Sequence, residues 1–84
     1  MKHAGPGALD ALEPVLAQLR KCAGLKEKNR GTFYRGSKAF IHFHEDPAGL
    51  FADVRLEDDF VRLPVDSRGD IAALLREVKA ALAR

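Results

Sequence analysis

Four short segments of alternating polarity lie between two amphipathic helical patterns, and this order constrains the fold more than any other feature of the chain. Alternation with a period of two is typical of half-buried strands, and apolar residues at steps of three and four are typical of helices. We predict strands at 32–35, 38–44, 50–56 and 60–65. We predict helices over 10–23 and 68–83.

The predicted order α-β-β-β-β-α defines an α+β fold. Because all three strand connections are short, the sheet is predicted to be a four-stranded antiparallel meander with both helices packed on one face. Gly36-Ser37 suits a type II′ turn, which would place Arg35 opposite Lys38. Pro64 cannot donate to a ladder on both sides, so the last strand should lie at an edge.

Signals for the helix starts differ in strength. Ser67 and Asp70 form a plausible capping box before the second helix. Asp10 and Glu13 look like the corresponding pair in the first helix, and Pro14 is tolerated only in a first turn, so that helix should begin close to it.

Length and composition predict one small domain. The chain has 84 residues, 31% of them charged, and one cysteine, so a disulfide or zinc–thiolate staple is excluded. We expect a disordered N-terminal arm over 1–7 and a single α+β domain over 8–84. No apolar run is long enough for a membrane span. The presence of a single cysteine and the absence of a secretory signal pattern together predict a cytoplasmic protein. The richness in Ala, Leu and Arg suggests a bacterial genome.

Alternation also divides the strand side chains between an aliphatic face, which should meet the helices, and an outer face of aromatic and charged groups. The register that we predict pairs His42 with Asp53, Phe40 with Arg55 and His44 with Phe51, and Phe33 with Phe40 across the hairpin. Exposed phenylalanines on an open sheet predict a ligand or partner surface, with a homodimer favoured. The alternatives are that the 25–31 loop or the N-terminal arm folds over this face, or that the face forms a ligand cleft. The predicted surface comprises Phe33, Phe40, His42, His44, Phe51, Asp53, Arg55 and Arg62.

His42 and His44 are two residues apart on one strand face, as in some metal sites, and Asp53 is the candidate third ligand. His3 is set aside because it falls in the arm predicted to be disordered. Beside Asp53, His42 also resembles an oriented base whose pKa the carboxylate should raise, but no nucleophile is predicted nearby. We therefore predict no catalytic residue, metal or cofactor, and keep a metal-dependent or acid–base enzyme using these three residues as the alternative.

Charge is distributed unevenly although the net charge is only +2. Residues 20–38 carry seven basic side chains against one acid, whereas 45–70 are acidic. Nucleic-acid binding through the basic region, with Lys26, Lys28, Arg30 and Arg35, is a second alternative. The acidic turns and Asp53 would repel phosphate, so we do not expect a nucleic-acid partner.

The segments Gly36-Ser37-Lys38-Ala39-Phe40-Ile41-His42-Phe43-His44 and Ala52-Asp53-Val54-Arg55-Leu56 form a double strand. It resembles that of small bacterial domains of unknown function, including domains labelled luciferase-like and YjbR-type domains. The resemblance covers about residues 32–83 and implies an α+β fold without supplying catalytic residues. The resulting expectation is a non-enzymatic protein-interaction or ligand-binding module that uses the outer face.

Overall fold

The fold, described by a computed structural model for residues 2–84, consists of two helices and a six-stranded antiparallel sheet. In chain order the elements are β1 (Lys2–His3), α1 (Pro6–Arg20), β2 (Lys26–Asn29), β3 (Thr32–Arg35), β4 (Lys38–Asp46), β5 (Gly49–Arg55), β6 (Phe60–Pro64) and α2 (Arg68–Leu82). The predicted α+β class is confirmed. Within the described range, no helix is long and apolar enough to cross a membrane.

Strands β3 to β6 follow one another in the sheet, and two strands that we did not predict extend it. β2 pairs with β3 and forms one end of the sheet, while β1 pairs with β4. The prediction of four strands is therefore wrong in number. Residues 26–29, predicted as loop, lie in the plane of the sheet, so they do not fold over its outer face. Residues 2–7, which we predicted as part of a disordered arm, include β1 and the start of α1, and residue 1 lies outside the described residues.

The first helix begins four residues earlier than predicted. Gly5 is its N-cap and Pro6 its first residue, a position where the missing N–H of proline costs nothing. Pro14 lies inside the helix on its exposed side. Asp10 and Glu13 do not cap the helix; they accept hydrogen bonds from Arg30 at 2.8 Å each.

The second helix begins as predicted. The Ser67 side chain accepts from the Asp70 N–H at 3.0 Å, and the Asp70 carboxylate accepts from the Ser67 N–H at 3.1 Å, which completes the capping box.

The prediction that the strand containing Pro64 lies at an edge of the sheet is confirmed. Val65 N–H donates to Leu50 at 2.9 Å, so by alternation the nitrogen of Pro64 points to the open edge of β6.

The β3–β4 hairpin contains a bulge that changes which face Phe33 and Phe40 occupy. Arg35 pairs with Lys38 as predicted. Of the two turn residues, Gly36 has a positive φ of 64° and Ser37 does not, as a type II′ turn requires. Phe33, however, pairs with Ile41 and not with Phe40, because the register shifts by one residue before Tyr34. Phe33 and Phe40 are consequently buried in the core and do not lie on the outer face.

One hydrophobic cluster joins the sheet to both helices. On β4 and β5 it takes alternate residues, Ile41, Phe43, Ala52 and Val54, all of them buried. From the helices it takes Leu12, Val15, Leu16, Leu19, Leu74, Val78 and Ala81. The residues between them on β4 and β5 form the outer face, which carries the candidate site.

Candidate metal centre

The N-terminal strand brings a third histidine to the outer face. β3 pairs with β4 only between Lys38 and Ile41, so the edge of β4 beyond that point is free for β1. Here His3 pairs with His44, and Ala4 N–H donates to Phe43 O at 3.1 Å. Backbone pairing in an antiparallel ladder places directly opposite side chains on one face, and His3 therefore reaches the pair on β4.

His3, His42 and His44 form one group whose candidate ligand nitrogens all lie within 4.8 Å of one another. The rings of His3 and His44 stack with centroids 4.8 Å apart, and His42 meets His44 edge-on at the same distance. Burial increases across the group, since His3 is exposed, His42 is half-buried and His44 is buried. Of the residues predicted as ligands, His42 and His44 belong to this group, and His3 takes the place proposed for Asp53.

The two ring nitrogens of His44 have different surroundings. Its Nε2 lies 2.8 Å from His42 Nδ1 and 3.2 Å from Asp53 Oδ2. A neutral ring nitrogen is either a donor or an acceptor, so Nε2 cannot both donate to Asp53 and accept from His42. His44 Nδ1 is buried and has no hydrogen-bond partner among the described residues. A cation bound between His44 Nε2 and His42 Nδ1 would accept the lone pairs of both nitrogens.

Asp53 faces His42 in the ladder, as the register predicted, but its carboxylate is engaged elsewhere. Arg62 on β6 donates to both oxygens, Nε to Oδ1 and Nη2 to Oδ2, each at 2.8 Å. These hydrogen bonds hold the pKa of Asp53 below its usual value, against the opposing effect of burial. Asp53 is therefore an anion beside the histidines.

The second register pair, His44 with Phe51, is also confirmed. The predicted pair of Phe40 with Arg55 is wrong, because the β4–β5 ladder begins at Ile41 and does not include Phe40.

An aromatic side chain that the sequence did not single out covers His42. The Phe60 ring meets the His42 ring edge-on with centroids 4.8 Å apart, and the Arg55 guanidinium lies over the Phe60 ring, 4.4 Å from its centroid. Phe60 is 37% exposed, so it shields the site on one side and still reaches solvent. In the sequence Phe60 lies two residues before Arg62, so the alternation that places Arg62 on the outer face places Phe60 there as well.

Burial lowers the pKa of His42, and the neighbouring His44 adds to this effect. The Asp53 carboxylate acts in the opposite direction but is the smaller influence. The predicted direction of the Asp53 contribution is therefore confirmed, whereas the net pKa of His42 is lowered because burial and His44 outweigh that contribution. A lowered pKa keeps His42 neutral near pH 7, the form in which imidazole binds metals.

The remaining residues of the predicted surface lie at its margin. Phe51 is half-buried opposite His44. Arg55 donates to the carbonyls of Ala39 and Asp58 at 2.9 and 3.0 Å. Together with the burial of Phe33 and Phe40, these contacts reduce the predicted aromatic patch to a polar site with aromatic cover.

The basic region 20–38 uses its arginines internally. Arg20 contacts the carboxylates of Glu13 and Glu27, and Arg30 contacts those of Asp10 and Glu13. Arg35 donates to the carbonyl of Ala81 at 3.1 Å, near the end of α2. Such contacts compete with phosphate for the same donors and do not favour the nucleic-acid alternative.

Comparison with protein-family models, with curated proteins and with solved structures finds no match to this chain.

Proposed function

We propose that this protein binds one transition-metal ion through His3, His42 and His44. The observation that carries the proposal is the convergence of three imidazoles from two strands, with ligand nitrogens within 4.8 Å of one another. In a tetrahedral site with metal–nitrogen bonds of 2.0–2.1 Å, ligand atoms are about 3.3 Å apart. Small side-chain rotations therefore suffice to bring the three nitrogens around one ion.

The ligand set indicates the class of metal. Imidazole nitrogens suit Zn²⁺, Co²⁺, Ni²⁺ and Cu²⁺, whereas Mg²⁺ and Ca²⁺ prefer oxygen ligands. The carboxylate that contacts His44 belongs to Asp53, and its two oxygens already accept from Arg62. We infer a borderline divalent ion such as Zn²⁺ as the ligand.

Access from solvent follows from the placement of the helices. We infer that both helices cover the face of the sheet opposite the histidines, as a two-layer α+β fold requires. In support, Ile41 and Phe43 belong to the core cluster with residues of both helices, whereas His42 and His44 alternate with them along β4. His3 is exposed, so the ion can enter and keep a solvent or exogenous ligand.

The test is a titration of untagged protein with ZnCl₂ by isothermal calorimetry, with His3→Ala and His42→Gln as the main variants. His3 is exposed and His42 half-buried, so both variants should fold. The wild type should bind one equivalent, and each variant should bind at least about tenfold more weakly because a ligand is lost. Cys22→Ser removes the one thiol, which lies outside the site, and should bind as the wild type does. Equal zinc affinity in the wild type and both histidine variants would exclude this site.

Self-association is a second candidate function. β6 forms one end of the sheet, and Phe60 and Val61 on it are exposed at 37% and 43%. An unpaired strand edge with exposed apolar side chains favours pairing with a second copy, although Pro64 removes one outward donor. Sedimentation over a range of concentrations tests this: a homodimer should dissociate on dilution, and Val61→Lys should shift the equilibrium to monomer.

A further inference from the structure

The carboxylate of Asp53 already lies at a distance that a fourth metal ligand would have. Its Oδ2 is 3.2 Å from His44 Nε2, close to the separation of about 3.3 Å between two ligand atoms of a tetrahedral ion. With three imidazoles in place, ligation by Asp53 would complete four-coordination and close the site to other ligands.

Arg62 opposes this ligation in two ways. It binds both carboxylate oxygens in a bidentate arrangement, which is among the stronger and more directional charge-assisted hydrogen bonds. Its guanidinium would also lie next to the divalent ion if Asp53 became a ligand, and like charges at that distance repel. The Asp53 side chain is only 11% exposed, so it has little freedom to turn away from Arg62 toward the ion.

Resting on the proposed function, we propose that Arg62 is a positioning residue that withholds Asp53 from the metal and so leaves one coordination position for an exogenous ligand. The ligand class is a water molecule or a small anion, since a divalent ion with three neutral imidazoles carries net positive charge. Asp53 then remains an anion beside the ion, held by its two hydrogen bonds from Arg62, and does not ligate the ion.

The experiment uses Co²⁺ as the probe and azide as the exogenous anion, with visible absorption as the readout of coordination. Azide should change the spectrum of the Co²⁺-loaded wild type in a saturable way. In Arg62→Gln, the released Asp53 should ligate the ion, so the azide response should disappear and Co²⁺ should bind about tenfold more tightly. The double variant R62Q/D53N should recover the azide response, because no carboxylate remains to fill the position.

Two further variants separate positioning from charge. Arg62→Lys keeps the charge but cannot hold both oxygens, and its azide response should be intermediate. Arg76→Gln removes a charge from an exposed position on α2 and should behave as the wild type does. An unchanged azide response and Co²⁺ affinity in Arg62→Gln would overturn the role of Arg62 and leave the three-histidine site standing. Failure of the wild type to bind Co²⁺ at all would overturn both proposals.

Discussion

The two faces of β4 and β5 bury side chains for different reasons. On the inner face Ile41 and Val54 pair across the ladder and are fully buried among apolar neighbours. On the outer face His44 and Asp53 are only 9% and 8% exposed, although neither residue belongs to the hydrophobic cluster. Burying polar groups costs free energy unless partners compensate, so burial on the outer face indicates a site, whereas burial on the inner face indicates packing.

The largest effect is expected from truncating the inner face. Ile41→Ala should reduce the free energy of unfolding by about 2–5 kcal/mol, because it removes buried methyl groups and leaves a cavity. Urea denaturation in EDTA measures this. If the variant is too unstable to study, Ile41→Val should cost about 0.5–1.5 kcal/mol. Ile41→Val should bind zinc as tightly as the wild type, and a lost zinc site in this variant would show that the two faces are not separable.

The adjacent outer residue should give the opposite pattern. His42→Ala should change the free energy of unfolding in EDTA by less than about 1 kcal/mol, since substitutions outside the core rarely cost more. Zinc should bind at least about tenfold more weakly because one of three ligands is gone. The same calorimetric and urea experiments, run beside those on Ile41→Val, measure both quantities. A cost comparable to that of Ile41→Ala would mean that His42 is part of the core.

The two faces also differ in how far the sequence predicts them. Ile41, Val54, His42 and Asp53 were placed on the correct faces because an unbroken alternation of side chains fixes the register. Phe40 was misplaced because a bulge adds a residue to one strand, and nothing in the sequence marks where that residue falls.

The missing strands have a different cause. β1 has two residues, too few for any periodicity, so His3 could not be assigned to the site from the pattern. The indication that existed was the length of β4, which exceeds that of β3 and leaves part of its edge without a partner. β2 reads Lys-Glu-Lys-Asn and carries no apolar alternation, as suits a charged edge strand that resists further pairing.

Acid should destabilise the outer face through Asp53. Because Arg62 lowers its pKa in the folded state, Asp53 stabilises the metal-free protein above its unfolded pKa of about 3.9. This contribution is lost as the pH falls through the folded pKa. Unfolding free energies from urea titrations in EDTA, between about pH 6 and about pH 3, should therefore fall less steeply in Asp53→Asn than in the wild type.

Asp59→Asn provides the charge-matched control, because it removes one carboxylate from the exposed turn before β6. If Asp53→Asn and the wild type lose stability in parallel, the bidentate pair with Arg62 does not hold in solution.

The smallest expected effect is a shift in the titration of His42. Burial keeps its pKa below the reference value of about 6.5, so Phe60→Ala should raise the pKa by admitting water. Asp53→Asn should lower it further, because the carboxylate favours the charged imidazole. A lowered folded pKa also means that neutral His42 stabilises the fold above about 6.5, and that this contribution is lost as pH falls through the folded value. NMR titration of metal-free protein measures these shifts, and a His42 pKa above the reference value would refute the burial argument.

Convergence of the three histidines at one point of the outer face is tested most directly by ¹⁵N NMR of the imidazole rings during addition of ZnCl₂. All three histidines should change together, with the ligand nitrogen of each ring shifting as its lone pair binds the metal, and the changes should be complete at one equivalent. A spectrum in which His42 and His44 respond while His3 does not would contradict the placement of β1. No saturable change in any ring would contradict the site itself.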